Sequence, residues 1–190
     1  MEHATIARWL SIVFHPFVMV GVMVGAAAAA RQTAGEAVRS VGIVVLFTIV
    51  PLAVLMWRQV RRGQWENVDA SNRGERPILY VVGGAGVLAL LAYVVVIRQQ
   101  SFMVRGVVAT LGMMALSAAA TRWVKVSLHM AFAALAATAL AVARSPIGYL
   151  LLFALPALAW SRLVLQRHTP FEVVLGTIIG AGAAAALHFL

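Results

Sequence analysis

The sequence predicts an all-α, polytopic transmembrane helical bundle of about seven spans, with six as the alternative. Of the 190 residues, 63% are hydrophobic and only 11% charged, whereas soluble domains carry about a quarter charged residues. The mean hydropathy is +0.94. Apolar runs on the scale of a bilayer recur along the whole chain. No polar insertion between them is long enough for a separate soluble domain, so residues 1–190 are expected to form one domain in lipid, where helices satisfy their own backbone groups.

The first apolar run, Arg8 to Ala30, is long enough to span and has no A-x-A cleavage pattern after a short core, which predicts a retained helix rather than a signal peptide. His15-Pro16 interrupts it and predicts a kink, because proline removes a backbone donor. His15 reads as a buried, hydrogen-bonded histidine, although the kink would let it approach a substrate. After a polar turn from Arg31 to Arg39, a second span is expected from Val38 to Trp57, ending in Arg58, Arg61 and Arg62. Gly63 to Pro77 is the most polar segment and holds Glu66, Asp69, Arg73, Glu75 and Arg76. The third span, Ile78 to Ile97, is rich in Gly and Val. Arg98 to Arg105 read as a turn and Gly106 to Ala120 as the fourth span, with Trp123 marking the interface. Lys125-Val126-Ser127-Leu128-His129 precedes a small-residue helix, Met130 to Ala143, suited to close packing. Arg144 to Gly148 form a turn, the sixth span runs from Tyr149 to Leu163, and the seventh from Phe171 to Leu190. Gly176, Gly180 and Gly182 on the last helix are expected to let a neighbouring backbone near.

The formal charge is +9, from 15 Lys and Arg against 6 Asp and Glu. In a bundle with so little polar surface this points to the bilayer's anionic headgroups or an anionic substrate, not to nucleic acid. The absence of cysteine excludes disulfides, thiolate metal sites and cysteine nucleophiles. Each span reverses the side of the membrane, so seven spans bring three polar stretches to one face: Gly63 to Pro77, Lys125 to His129, and Ser161 to Glu172.

Those stretches supply Arg73, Arg76, Lys125 and Arg162 as cations, Ser127 as a hydroxyl donor, and His129 and His168 as proton-transfer or nucleophilic groups. His168 is the only histidine with a carboxylate, Glu172, four positions later, and a carboxylate can fix an imidazole's tautomer. Arg162 offers a planar fork suited to phosphate oxygens. The inventory describes a phosphate site with acid-base capability. A metal site is disfavoured by the surrounding positive field, and Ser127 lacks the glycine elbow of a serine hydrolase. Plainer readings exist for each group. Arg162 and Arg167 suit snorkelling at a helix end, Ser127 suits a cap of the fifth helix, and Ser161 suits a bond to its own helix carbonyl, the reading taken for it.

The segment Ser161-Arg162, five residues, His168, three residues, Glu172 resembles the third signature motif of the phosphatidic acid phosphatase type 2 superfamily, usually Ser-Arg-x5-His-x3-Asp. Ser127-Leu128-His129 resembles the second, usually Pro-Ser-Gly-His, and Arg76-Pro77 the end of the first, usually Lys-x6-Arg-Pro, in the same order. Glu172 stands where the family has aspartate, Val126 and Leu128 where it has Pro and Gly, and Asp69 where it has lysine. The missing cation would come from Arg73, oriented by Asp69 one helical turn away, or from Lys125.

The resemblance implies a metal-independent phosphatase of lipid phosphates that needs no cofactor. His168 would attack phosphorus to give a phosphohistidine, Glu172 would orient it, and His129 would protonate the leaving alkoxide and then activate water. Arg76, Arg162 and Ser127 would hold the phosphoryl oxygens. The alternative is a non-hydrolytic lipid-phosphate binder or transporter that retains the anion site. The expected location is a bacterial inner membrane. Ten basic residues fall on the site face (Arg8, Arg58, Arg61, Arg62, Arg73, Arg76, Arg122, Lys125, Arg162, Arg167) and five on the other (Arg31, Arg39, Arg98, Arg105, Arg144), so the positive-inside rule makes the site face cytoplasmic.

Overall fold

A computed structural model describes residues 2–65 and 72–186, and among them the chain is helical without strands. Helices α1 (Glu2–Val13) and α2 (Pro16–Ala29) are bent by 44° at the expected His15-Pro16 break. The proline ring drives His15 out of the helical region, to φ −59° and ψ 142°.

Helix α3 (Ala34–Val44), a π-helical turn (Val45–Ile49) and α4 (Val50–Arg61) form one continuous helix. It begins four residues before the expected Val38 because Thr33 and Glu36 close a capping box: the Thr33 N–H donates to Glu36 Oε2 at 2.9 Å, and the Glu36 N–H to Thr33 Oγ1 at 3.5 Å. The π turn has a cause in Pro51, which has no N–H to give the Phe47 carbonyl. That carbonyl abuts α5 (Arg76–Val96) at Gly86, where a Cβ would collide with it.

Helix α6 (Ser101–Ala120) starts five residues earlier than expected, and the turn before it is confined to 97–100, with Arg98 at φ 51°. Helices α7 (Leu128–Val142), α8 (Pro146–Val164) and α9 (Pro170–Ala186) complete the described chain. Every expected apolar run is therefore helical over its described residues, residues 187–190 of the last lying outside them, but the runs differ in reach. Four helices are long and apolar enough to cross a membrane (Ala34–Arg61, Arg73–Val96, Ser101–Ala120 and Pro146–Val164), or five if α1 and α2 make one bent span, whereas α7 and α9 are shorter apolar helices. Large apolar side chains cover the outside, with Phe153 86% and Val96 79% exposed. Such a surface suits hydrocarbon and would aggregate in water.

Helix α7 lies at the centre, packed against α2, α8 and α9 and touching α6. Ala131, Ala133, Ala134, Ala136 and Ala137 are buried along it. A Cβ on Gly176 would sit 2.5 Å from the Ser127 carbonyl, and one on Gly180 would overlap the Ala131 carbonyl, so α9 meets α7 backbone to backbone. Gly182 departs from its expected part in this packing, since a Cβ there meets open space.

Candidate functional site at the head of α7

The end of α8 turns the third polar stretch inward. The Arg167 N–H donates to the Arg162 carbonyl at 3.1 Å and Gln166 takes a left-handed φ of 52°, which reverses the chain directly after the helix. Helix α9 then starts on a second capping box. The Thr169 N–H donates to Glu172 Oε2 at 3.2 Å, and the Glu172 N–H to Thr169 Oγ1 at 3.3 Å.

The same Glu172 oxygen lies 2.9 Å from His168 Nδ1. One carboxylate therefore fixes the helix start and the imidazole together. This accounts physically for glutamate at the position, because Glu at N3 has the reach to cap backward. Burial first, and then the charges of Arg162, Arg76 and Lys125, push the His168 pKa down from its ordinary 6.5 to about 2, against a hydrogen bond with the Lys125 backbone. The ring is held neutral. A neutral ring has one proton to donate, and with that proton on Nδ1, facing the carboxylate, Nε2 would keep its lone pair.

Ser127, fully buried, occupies the N-cap position of α7, but its hydroxyl makes no cap bond, contrary to the capping reading. Its N–H donates to the Glu172 carbonyl at 3.3 Å, tying the head of α7 to α9. His129 follows in the first turn of α7 and is buried. Arg76, buried at the start of α5, donates to the Val126 carbonyl. Arg162, also buried, donates to Ser11 Oγ on α1. Lys125 is half-buried, and its pKa is lowered by burial, with Glu172 opposing and Arg76, Arg162 and Arg167 adding to the shift.

The structure thus gathers Arg76, Lys125, Ser127, His129, Arg162, His168 and Glu172 at one end of the bundle. Ser127 Oγ, His129 Nε2 and Arg76 Nε are buried there without a hydrogen-bond partner among the described residues. Buried polar atoms in folded proteins are nearly always paired. Orphans converging among cations mark a place shaped for an anion with several acceptor oxygens.

Arg73 is not gathered with them: it is exposed and its Nε donates to the Thr121 carbonyl at 2.7 Å, closing the end of α6. Asp69, expected to orient it, lies outside the described residues. Ser161 is also corrected, since its Oγ donates to the Ala7 carbonyl of α1 at 2.6 Å and not to its own helix. The involvement of α1 was missed for Ala7 and Ser11. Its only signal in the sequence is a spacing of four, continued by His15. Among the described residues, no three His, Cys, Asp or Glu side chains gather as metal ligands do.

A cleft of about 400 Å³ opens beside the cluster. His15 and His129 line one end, Arg31, Ser101 and Arg105 the other, and the walls between are apolar, including Val24, Leu52, Val87 and Met114. No protein-family model matches the chain, nor does any curated protein or solved structure. The motif resemblance accordingly rests on the residues themselves.

Proposed function

We propose that this protein is a metal-independent phosphatase of membrane lipid phosphates that works through a phosphohistidine. The observation that carries the reading is the His168–Glu172 pair at 2.9 Å, set among Arg76, Lys125 and Arg162 beside orphaned donors. In the proposed reaction His168 Nε2 forms a bond to phosphorus as the bond to the lipid oxygen breaks. That oxygen takes a proton from His129, in its protonated form. Water then attacks the phosphohistidine and gives a proton back to His129, releasing inorganic phosphate and restoring His168. The substrate's negative charge supplies what a buried imidazolium needs. Arg76, Arg162 and Ser127 hold the phosphoryl oxygens, and Lys125 supplies the further cation. The apolar cleft would hold the lipid tail.

Seven crossings and a cytoplasm-facing site in a bacterial inner membrane complete the proposal. The 15 residues of α7 rise about 22 Å, short of a hydrocarbon core of about 30 Å, so its head would lie below the interface, where a headgroup dips to meet it. Arg58, Arg61 and Arg62 favour the cytoplasm for this face. A reporter active only outside the cytoplasm, fused after Leu190, should be active; an inactive fusion with an active cytoplasmic counterpart would overturn the span count or the orientation.

Purified protein should release phosphate from phosphatidic, phosphatidylglycerol or polyprenyl phosphates without added metal. His168→Ala should lose turnover by at least about a thousandfold, together with acid-labile phosphate labelling. Binding of these lipids with no phosphate release by the wild type would replace the enzyme by a lipid-phosphate binder.

A further inference from the structure

Helix α1 and the break that follows it meet the site at three places. Ala7 accepts from Ser161, Ser11 accepts from Arg162, and His15 faces His129. Ala7 and Ser11, spaced by four, share one face of α1. Two buried side-chain bonds to α8 thus fix the orientation of α1, and His15 follows one turn later at the Pro16 break.

The His15 ring is itself anchored. Its Nδ1 accepts the Phe17 N–H at 3.2 Å, and its ring centroid lies 4.7 Å from that of Phe17 at 70°. On the other side the His129 ring stands 5.3 Å away at 89°, an edge-to-face arrangement. His129 needs such a neighbour. It is buried, and its Nε2 has no hydrogen-bond partner among the described residues, so no bond at that nitrogen fixes the rotation of the ring.

We infer that His15 is a positioning residue of the site: its ring, anchored at the helix break, holds the His129 imidazole in one rotation where the cleft meets the anion site. The inference rests on the phosphatase reading for its effect on turnover. A purely structural His15 would only cap α2, a task that needs an acceptor and not a ring.

Two variants separate the roles. His15→Asn keeps an N-cap acceptor and removes the ring, whereas His15→Phe keeps a ring and removes the acceptor. Purified proteins would be given a radiolabelled lipid phosphate, with kcat, KM, the fraction of trapped phosphoenzyme and the unfolding temperature measured for each. His15→Asn should unfold close to the wild-type temperature yet lose on the order of ten- to a hundredfold in kcat, with KM falling alongside it. Phosphoenzyme should accumulate in it, because His129 completes the second half of the cycle. His15→Phe should retain more of kcat although it is less stable. Wild-type turnover in His15→Asn, or equal losses in both variants, would overturn the inference and leave the phosphatase reading standing. A wild type that forms no phosphoenzyme and releases no phosphate would overturn the reading, and the inference with it.

Discussion

Helices α7 to α9 and helices α3 to α6 are packed largely by different means. In the first group backbones touch: a Cβ on Gly148 would overlap the backbone of α7 at Leu140 and Ala141, as one on Gly180 would overlap it at Ala131. In the second group the backbones meet at Gly86 and Phe47, but Val44, Val87, Leu90, Val107, Met113 and Met114 build the rest of the contact from larger side chains, and the cleft opens along them. Backbone contact leaves little room for displacement, whereas Met23 and Met114 on the cleft wall can change shape cheaply. In the proposed function the first part holds a few polar atoms in place and the second accepts an apolar chain.

The sharpest test of the rigid part is Glu172. Glu172→Gln keeps the size but can no longer stabilise the Nδ1–H tautomer of His168, and should cost on the order of a thousandfold or more in kcat. Glu172→Asp keeps the charge and should stay within about tenfold, with a small loss of stability of about 1 kcal/mol from the weakened capping box. Equal rates for Glu172→Gln and wild type would remove Glu172 from the site.

A smaller effect is expected at the α7–α9 seam. Gly180→Leu must push α9 off the Ala131 carbonyl, and overpacking of this kind costs about 1–3 kcal/mol. Turnover should fall with it, because Glu172 moves with α9 while Ser127 and His129 stay with α7. Gly182→Leu, facing open space, is the control and should be neutral in unfolding and in rate. Matching losses at both positions would mean that the seam does not set the site.

The cleft should be the more forgiving part. Gly106 lines it near the Arg31 and Arg105 end, and a Cβ there meets nothing within 4 Å. Gly106→Phe should shorten the cleft from its far end. At about 0.8 kcal/mol per displaced methylene, two methylenes raise KM for a hexadecyl phosphate about tenfold. An octyl phosphate, which would not reach that depth, should be handled as by wild type. Equal changes for both chain lengths would show that the tail lies elsewhere.

The helical class was legible because it depends on composition and local pattern alone. Long apolar runs in lipid have no other economical way to satisfy their backbone groups, and each expected run is a helix over its described residues. Boundaries were less legible where a local bond decides them. The Thr33–Glu36 and Thr169–Glu172 boxes lie in plain sequence, yet the first moved a helix start by four residues and the second gave Glu172 a structural task beside its proposed chemical one.

By itself the sequence determined the apolar helices, the break at His15-Pro16, and the pairing of His168 with Glu172, because a glutamate at the third position of a helix reaches back to the residues just before it. Only the tertiary structure decided which cations join that pair. Arg73 and Arg76 lie three residues apart, but one closes α6 at Thr121 and the other reaches Val126, since the direction of each side chain depends on what packs against it. The same holds for Ser11 and His15, about 150 and 114 residues from Arg162 and His129: no local rule connects them, and packing α1 against α8 and α2 against α7 brings each to its partner.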